Sequence, residues 1–280
     1  MFSIVIPTWN NLSYLELCVR SIRQNSQMAH QIIVHVNDGS DGTLAWVRDQ
    51  GLHFTASPSN IGICYAVNTA AALAAHDYIV YMNDDMVCSP NWDTSLINRI
   101  AALGHNAFMI SGTMIQPRET NNPCTVVHNF GSEALGFDMT TFNQISPSMG
   151  IKDWSGSTWP PTVVHRDWWH KVGGYSIEFS PGMSSDNDFS MKMWTAGCRI
   201  FWGVGDSLVY HFMQKSTGKI VKNNGSAQFL RKWGITASAF DKHYVRLGER
   251  LDVDTPTLTL LETPALKYQR FRSRLKRAFV

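Results

Sequence analysis

Three groups of carboxylates stand out along the 280-residue chain: Asp38 with Asp41, the adjacent pair Asp84-Asp85, and Asp186 with Asp188. Neighbouring carboxylates can hold a divalent cation, and one in a desolvated cleft can have its pKa raised until it takes a proton from a hydroxyl. The same residues also make ordinary turns and helix starts, so each group alone can be a solvated loop or favourable charge at a helix N-terminus. Their setting argues for more. Pro7-Thr8-Trp9-Asn10, Asn37-Asp38-Gly39-Ser40-Asp41-Gly42, Ser57-Pro58-Ser59-Asn60-Ile61-Gly62 and Asn83-Asp84-Asp85 each follow directly on a short apolar run.

Those runs read as strands at Ser3 to Ile6, Ile32 to Val36, His53 to Ala56 and Tyr78 to Met82. Between the first two, Leu12, Leu15, Val19 and Ile22 recur at helical spacing, with Asn10 or Asn11 as a cap. Ile61 to Ala75 is alanine-rich and predicts a helix, as does the stretch from Trp92 to Leu103. This alternation predicts βαβ units in a mostly parallel sheet, a Rossmann-like α/β fold, and in such sheets ligands bind beyond the carboxyl ends of the strands. From Gln116 to Met149 the pattern becomes irregular and polar, and a tryptophan-rich region with Trp154, Trp159, Trp168 and Trp169 follows. A strand is expected at Thr162 to His165, then a helical turn ending at Gly173-Gly174. Asp186 and Asp188 open a helix running to Ala196, and a helix so placed points them to different faces. Strands at Arg199 to Trp202 and Ser207 to Tyr210 lead to His211, and two or three helices close the chain.

The net charge of +2 hides an asymmetry. Residues 264–280 carry Lys267, Arg270, Arg272, Arg274, Lys276 and Arg277 with no acid, and setting those six aside leaves 18 basic residues against 22 acidic. A general nucleic-acid surface is therefore not expected, whereas an electrostatic anchor at one end is. The five cysteines, Cys18, Cys64, Cys88, Cys124 and Cys198, are scattered and never spaced C-x-x-C, which predicts neither a disulfide framework nor a zinc site and suits a reducing, cytoplasmic compartment. Met1 leads into an apolar run without a basic n-region, and no stretch reaches the ~20 apolar residues of a bilayer span, so neither a plain export signal nor an integral membrane protein is expected.

Taken in order, these segments resemble the family 2 glycosyltransferases, which adopt the GT-A fold. Ile4-Val5-Ile6-Pro7-Thr8-Trp9-Asn10 is similar to that family's first strand and loop, and Val36-Asn37-Asp38-Gly39-Ser40-Asp41-Gly42-Thr43 to its second. Asn60-Ile61-Gly62 with Asn68, then Tyr81-Met82-Asn83-Asp84-Asp85, match its donor-side motifs. Val172-Gly173-Gly174-Tyr175 followed by Ser185-Asp186-Asn187-Asp188-Phe189 looks like its acceptor-side acidic motif, and the likeness extends from Phe2 to Ser216.

The resemblance implies an inverting transfer of a sugar from a nucleotide-sugar donor of UDP, GDP or dTDP type to a hydroxyl of a glycan or lipid-linked acceptor, in surface polysaccharide assembly. Asp85 is the first expected ligand of a divalent ion, Mn2+ or Mg2+, with His211 completing its shell. Asp84 stands beside it near the ribose or the metal, and Asn83 replaces the first aspartate of the family's D-x-D motif. Asp38 would bind the base, while Pro7, Thr8, Asn10, Asn60 and Gly62 line the nucleotide cleft, the glycine giving close backbone approach. Asp186 is the expected catalytic base, although Ser185 stands where the family carries an acid, so the role could fall to Asp188. Asp188 could also bind the acceptor, with Trp154 and Trp159 as an apolar floor for a sugar ring, or the tryptophans could simply bury area.

Gln228-Phe229-Leu230-Arg231-Lys232-Trp233 is close to the Q-x-x-R-W motif of processive synthases but has one extra residue, and those enzymes have membrane helices, so processive synthesis is not expected. Residues 1–225 are read as the GT-A domain, with 1–115 the nucleotide-sugar half and 116–225 the acceptor half, and 226–280 as a helical extension. The tail's Leu266, Phe271, Leu275 and Phe279 among arginines and lysines give a basic amphipathic helix, either peripheral on an anionic membrane surface or packed on the body or a partner. Two rivals remain open. A nucleotidyltransferase would carry a glycine-rich phosphate loop and a basic residue after the first strand, and a non-catalytic carbohydrate-binding protein would not need Asp38, Asp85 and Asp186 together.

Overall fold

The computed structural model describes residues 1–213, 223–251 and 257–279. The first half builds β1 (Phe2–Trp9), α1 (Leu12–Asn25), β2 (Gln31–Asn37), α2 (Thr43–Asp49), β3 (His53–Ser57), α3 (Ile63–Ala71), β4 (Tyr78–Tyr81), β5 (Met86–Cys88), α4 (Trp92–Leu103) and β6 (Met109–Gln116). The second half builds β7 (Thr125–Val127), α5 (Met139–Ile145), β8 (Trp154–Ser155), β9 (Thr162–His165), α6 (Arg166–Val172), α7 (Ser185–Thr195), β10 (Phe201–His211), α8 (Gly225–Trp233), α9 (Ala237–His243) and α10 (Pro264–Arg277). One sheet runs β3-β2-β1-β4-β9-β6-β10-β5, with β7 beside β6 and β8 beside β10.

Alternation along β1 divides the core between the two faces of the sheet, because successive side chains point to opposite sides. Phe2, Ile4 and Ile6 pack with Leu15, Val19 and Ile22 of α1 and Trp92, Leu96 and Ile100 of α4. Val5, with Ile33 and Ile79, faces α3, α6 and α7, and Phe229, Phe240 and Leu266 of the C-terminal helices belong to this same cluster. Each such buried side chain stabilises the fold by about 1.5–3 kcal/mol. Asp93 at the start of α4 ties the lower end of β1 to α1: it accepts from the Gln27 and Met28 amides and from His30, whose other ring nitrogen accepts from the Phe2 amide.

Several elements differ from the sequence reading. The sheet is parallel through β3, β2, β1 and β4, but β9 runs antiparallel between β4 and β6, and β5 and β8 run antiparallel to β10. The two expected strands around Arg199 to Tyr210 are one strand, β10, whose register against β6 shifts between Val204 and Leu208. A Cβ on Gly205 would lie 1.8 Å from the Ile151 carbonyl, so glycine is needed where that irregularity meets the chain before β8. Helix α3 stops at Ala71 instead of Ala75, because Ser3 and Gln31 side chains capture the Ala75 amide. Asn11 occupies the N-cap of α1 without a side-chain cap bond, and Asp41, from the loop after β2, accepts from the Leu12 amide instead. Strand β6 carried no period-two signal because it is buried on both faces. Within the irregular 116–149 stretch, Phe137 and Phe142 form a small separate core with Tyr14, Tyr210 and Phe212.

Candidate active site

Strand register, more than any single loop, assembles the residues that the sequence singled out. β1 and β2 are parallel with Trp9 opposite Asn37, so the next residues, Asn10 and Asp38, meet: Asn10 Nδ2 donates to Asp38 Oδ2 at 2.9 Å and to Ser40 Oγ at 3.1 Å. Both residues have positive φ, 46° and 64°, a conformation that asparagine and aspartate tolerate better than most. β1 and β4 are parallel with Val5 opposite Tyr81, so Thr8 reaches the turn after β4 and its hydroxyl donates to Asp84 Oδ2 at 2.6 Å. β5 and β10 are antiparallel with Met86 opposite His211, which leaves Asp85 Oδ1 3.3 Å from His211 Nε2.

Asn37 was not among the predicted site residues. It is buried, its amide donates to the Thr8 carbonyl, and its Oδ1 accepts from the Ile61 amide at 3.0 Å and from Ser57, stitching three strand-end loops together. Its position as the first polar residue after the β2 apolar run was the available signal. Asn60 Oδ1 accepts from the Gly62 amide, closing a tight turn. At Gly62 (φ 79°) a Cβ would lie 3.0 Å from Pro181 Cα, so glycine is needed where this turn approaches the 180–182 segment of the chain. Pro7 is buried within β1, one residue before Thr8.

Beyond these strand ends lies a cavity of about 280 Å³ lined by Ile63, Tyr81, Asn83, Met86, Met114, Trp159, Pro160, Pro181, Gly182, Met183, Ser185, Asp186 and His211. A larger cleft of about 490 Å³ opens at the other end of the strands, but there Arg23 is bonded to Gln50 and His30 to Asp93. The smaller cavity has the electrostatics of a reactive site. Burial, then the neighbouring Asp85, push the Asp84 carboxyl upward, against the hydrogen bond from Thr8. Burial works against a charged His211, yet Asp85, through charge and hydrogen bond, and Asp84 carry it above the ordinary histidine value. Burial raises Asp186 to about 6 while the Tyr175 hydroxyl, donating to its Oδ1 at 2.9 Å, pulls it down. Tyr175 is placed by Asn68, whose side chain bonds both its amide and its carbonyl.

Asp188 does not share that setting. It is completely buried, paired with Lys232 Nζ at 2.9 Å and accepting from Trp233 Nε1 at 2.8 Å, so it joins α7 to α8 and is closed to an acceptor. Trp154 is also enclosed: its indole donates to Thr113, one side fills the space over Gly203, and the other stacks on Trp159 at 5.0 Å. Of the two tryptophans only Trp159 lines the cavity. Lys215 and Ser216, which follow His211 in the sequence, lie outside the described residues.

Among the described residues no three His, Cys, Asp or Glu side chains form a metal centre by themselves. Asp85 and His211 nonetheless fit a cation shared with a ligand, since divalent ions at phosphate sites take one or two protein groups and complete their shell with phosphate oxygens and water. Among the described residues, His211 Nδ1 is a buried nitrogen without a partner, and Trp159 Nε1 is another.

The sequence matches the family model described as glycosyl transferase family 2 over residues 3–150. No curated protein matches it. Among solved structures, TarS of S. aureus (residues 1–349) is similar with a TM-score of 0.57 at 16% identity, covering 99% of this chain and 71% of that one. Its complex with UDP gives 0.58 at 14% identity over 99% and 71%, and its complex with UDP-GlcNAc 0.57 at 16% over 99% and 72%. At such identities the likeness is one of fold, and that fold is GT-A.

Proposed function

The chain belongs to glycosyl transferase family 2, and from that premise we propose that it moves a sugar from a nucleoside-diphosphate donor to an acceptor hydroxyl with inversion at the anomeric carbon. The observation that carries the reading is one cavity lined by both Asp186 and His211, with Asp85 3.3 Å from His211. Similar structures of TarS hold UDP and UDP-GlcNAc, which favours a nucleotide-sugar in the corresponding cleft here.

In this mechanism Asp38, held by Asn10, receives the base, and the 7–10, 60–62 and 83–84 segments enclose the ribose and diphosphate. Asp85 and His211 would hold a divalent cation, Mn2+ or Mg2+, which supplies a counter-charge to the negative charge growing on the leaving diphosphate. Asp186 accepts the proton of the acceptor hydroxyl as its oxygen attacks the anomeric carbon opposite the diphosphate. The new glycosidic bond forms as the bond to the diphosphate oxygen breaks, and one such displacement inverts the centre. Its pKa of about 6 suits that task near neutrality, because it is ionised yet more basic than an ordinary carboxylate. Trp159 offers the acceptor ring an apolar wall. Residues 1–115 serve the donor, 116–225 the acceptor, and 226–280 form a helical extension. The acceptor is a glycan or a lipid-linked sugar in surface polysaccharide assembly at the cytoplasmic side of a membrane, and the five buried free cysteines suit a reducing compartment.

A thermal-shift series with UDP-, GDP- and dTDP-sugars, with and without manganese, tests the donor site, since a ligand at 100 times its Kd raises stability by about 2.7 kcal/mol. A shift with one nucleotide class that needs the metal is the expected result. No shift with any of them would overturn the reading.

A further inference from the structure

Helix α10 has two opposite faces with different environments. Leu266 and Ser273 are buried toward α8 and α9, and on the same side Arg270 is fixed by Glu262 at 2.7 Å and by the Tyr244 hydroxyl at 3.0 Å. At about 100° per residue, Tyr268, Phe271 and Leu275, continued by Phe279 beyond the helix end, fall on the opposite side. They are 59%, 58%, 51% and 90% exposed. Four large apolar side chains thus form one outward row on a helix whose inner face is already packed on α8 and α9. The same wheel places Lys267 and Arg274 along one flank of that row and Arg272 and Lys276 along the other. No acid occurs from residue 263 to the end of the sequence.

A row of aromatic and aliphatic groups between two cationic margins matches a bilayer interface: the rings enter the acyl boundary and the long cationic side chains reach back to lipid phosphates. A second copy of the chain fits less well, because two such faces would bring eight flanking cations together with no compensating acid. We propose that α10 is an interfacial anchor that lays the Tyr268-Phe271-Leu275-Phe279 row into a bilayer rich in anionic lipid. No described helix is long and apolar enough to cross a membrane, so the attachment is to one leaflet. α10 packs on α8, and α8 packs on α7, which carries Asp186. If the transfer reading holds, the anchor therefore links the lipid surface to the acceptor side of the cavity through two helix contacts, which favours a lipid-linked acceptor. The anchoring itself does not depend on that reading.

The test is flotation of the full chain with vesicles of phosphatidylcholine alone or mixed equally with phosphatidylglycerol. Binding to the mixed vesicles only, and its loss in 1 M salt, where charge is screened beyond ~3 Å, are expected. Replacing Arg272, Arg274 and Lys276 together with glutamine should lower partitioning on the order of 100-fold. Phe271→Ser with Leu275→Ser should also release the protein, while melting curves and transfer to a water-soluble acceptor stay unchanged because these side chains face solvent. Equal partitioning of the wild type onto neutral and mixed vesicles, no binding to either, or a charge variant that still floats would overturn the anchor. A dimer dissociated by the apolar pair of substitutions would assign the face to self-association instead. Vesicle binding by a protein that shows no donor-dependent thermal shift would leave the anchor standing and remove the transfer reading.

Discussion

The strand ends of the first half and the helix α7 of the second position their polar residues by different means. Around β1, β2 and β4 the strands are parallel and in register, so residues at or just beyond the strand ends meet directly: Asn10 with Asp38, Thr8 with Asp84. In the second half Asp186 lies at the start of α7, oriented by Tyr175, which Asn68 of α3 holds, while Asp188 two residues on is locked to α8. A parallel sheet thus delivers a site by register alone, whereas a helix N-terminus needs neighbouring elements to decide which carboxylate faces the cavity.

The largest effect that would break this contrast concerns Asp186. Asp186→Asn should lower transfer by about 10³-fold, within the range of lost general-base catalysis, while calorimetric donor affinity is kept; retained transfer would place the base elsewhere. The same variant should be more stable at pH 8. A carboxyl whose folded pKa is raised to about 6 adds stability below its unfolded value and loses it as pH rises through 6, and the amide has no charge to bury. A melting series from pH 4 to 8 checks the sign.

Next comes the α7–α8 lock. Lys232→Met leaves the fully buried Asp188 without its cation and should cost about 3 kcal/mol in a denaturant titration. Phe54→Leu, on the edge strand β3 away from both carboxylates, should cost under about 1.5 kcal/mol. A loss for Lys232→Met no larger than that would show that α8 does not secure α7.

Smaller again is Tyr175→Phe, which removes a hydroxyl and leaves the stacked ring on Phe189. Transfer should rise with pH through about 6 in the wild type. In the variant that limb should move to higher pH with a rate about tenfold lower below it, the value of one hydrogen bond to a charged group. A pH profile that drops uniformly without moving would mean that the phenol only packs.

The smallest effect is at the fold's lower end. Asp93 is held below the usual carboxylate range by His30 and the backbone amides of residues 27 and 28, despite its burial. Its contribution is present above the unfolded pKa and is lost as pH falls through the depressed folded value. Asp93→Asn should therefore cost about 1 kcal/mol at pH 7 and less near pH 2, read from melting temperatures.

Residue order and hydrophobic spacing by themselves determined the βαβ alternation, the strand-end loops and the acidic groups at their tips, because period-two burial and turn chemistry are local properties. The sequence also determined the basic amphipathic tail, since a helical wheel needs only residue order. What only the tertiary structure decided was which of these residues meet. His211 reaches Asp85 because β10 runs antiparallel to β5, more than a hundred residues away in the chain. Gly62 serves Pro181, Trp154 stands behind Trp159, and Asp188 belongs to Lys232 while Asp186 faces the cavity. Each depends on long-range packing, where a carboxylate's role is set by the charges, donors and apolar groups around it, and none of those neighbours is adjacent in sequence.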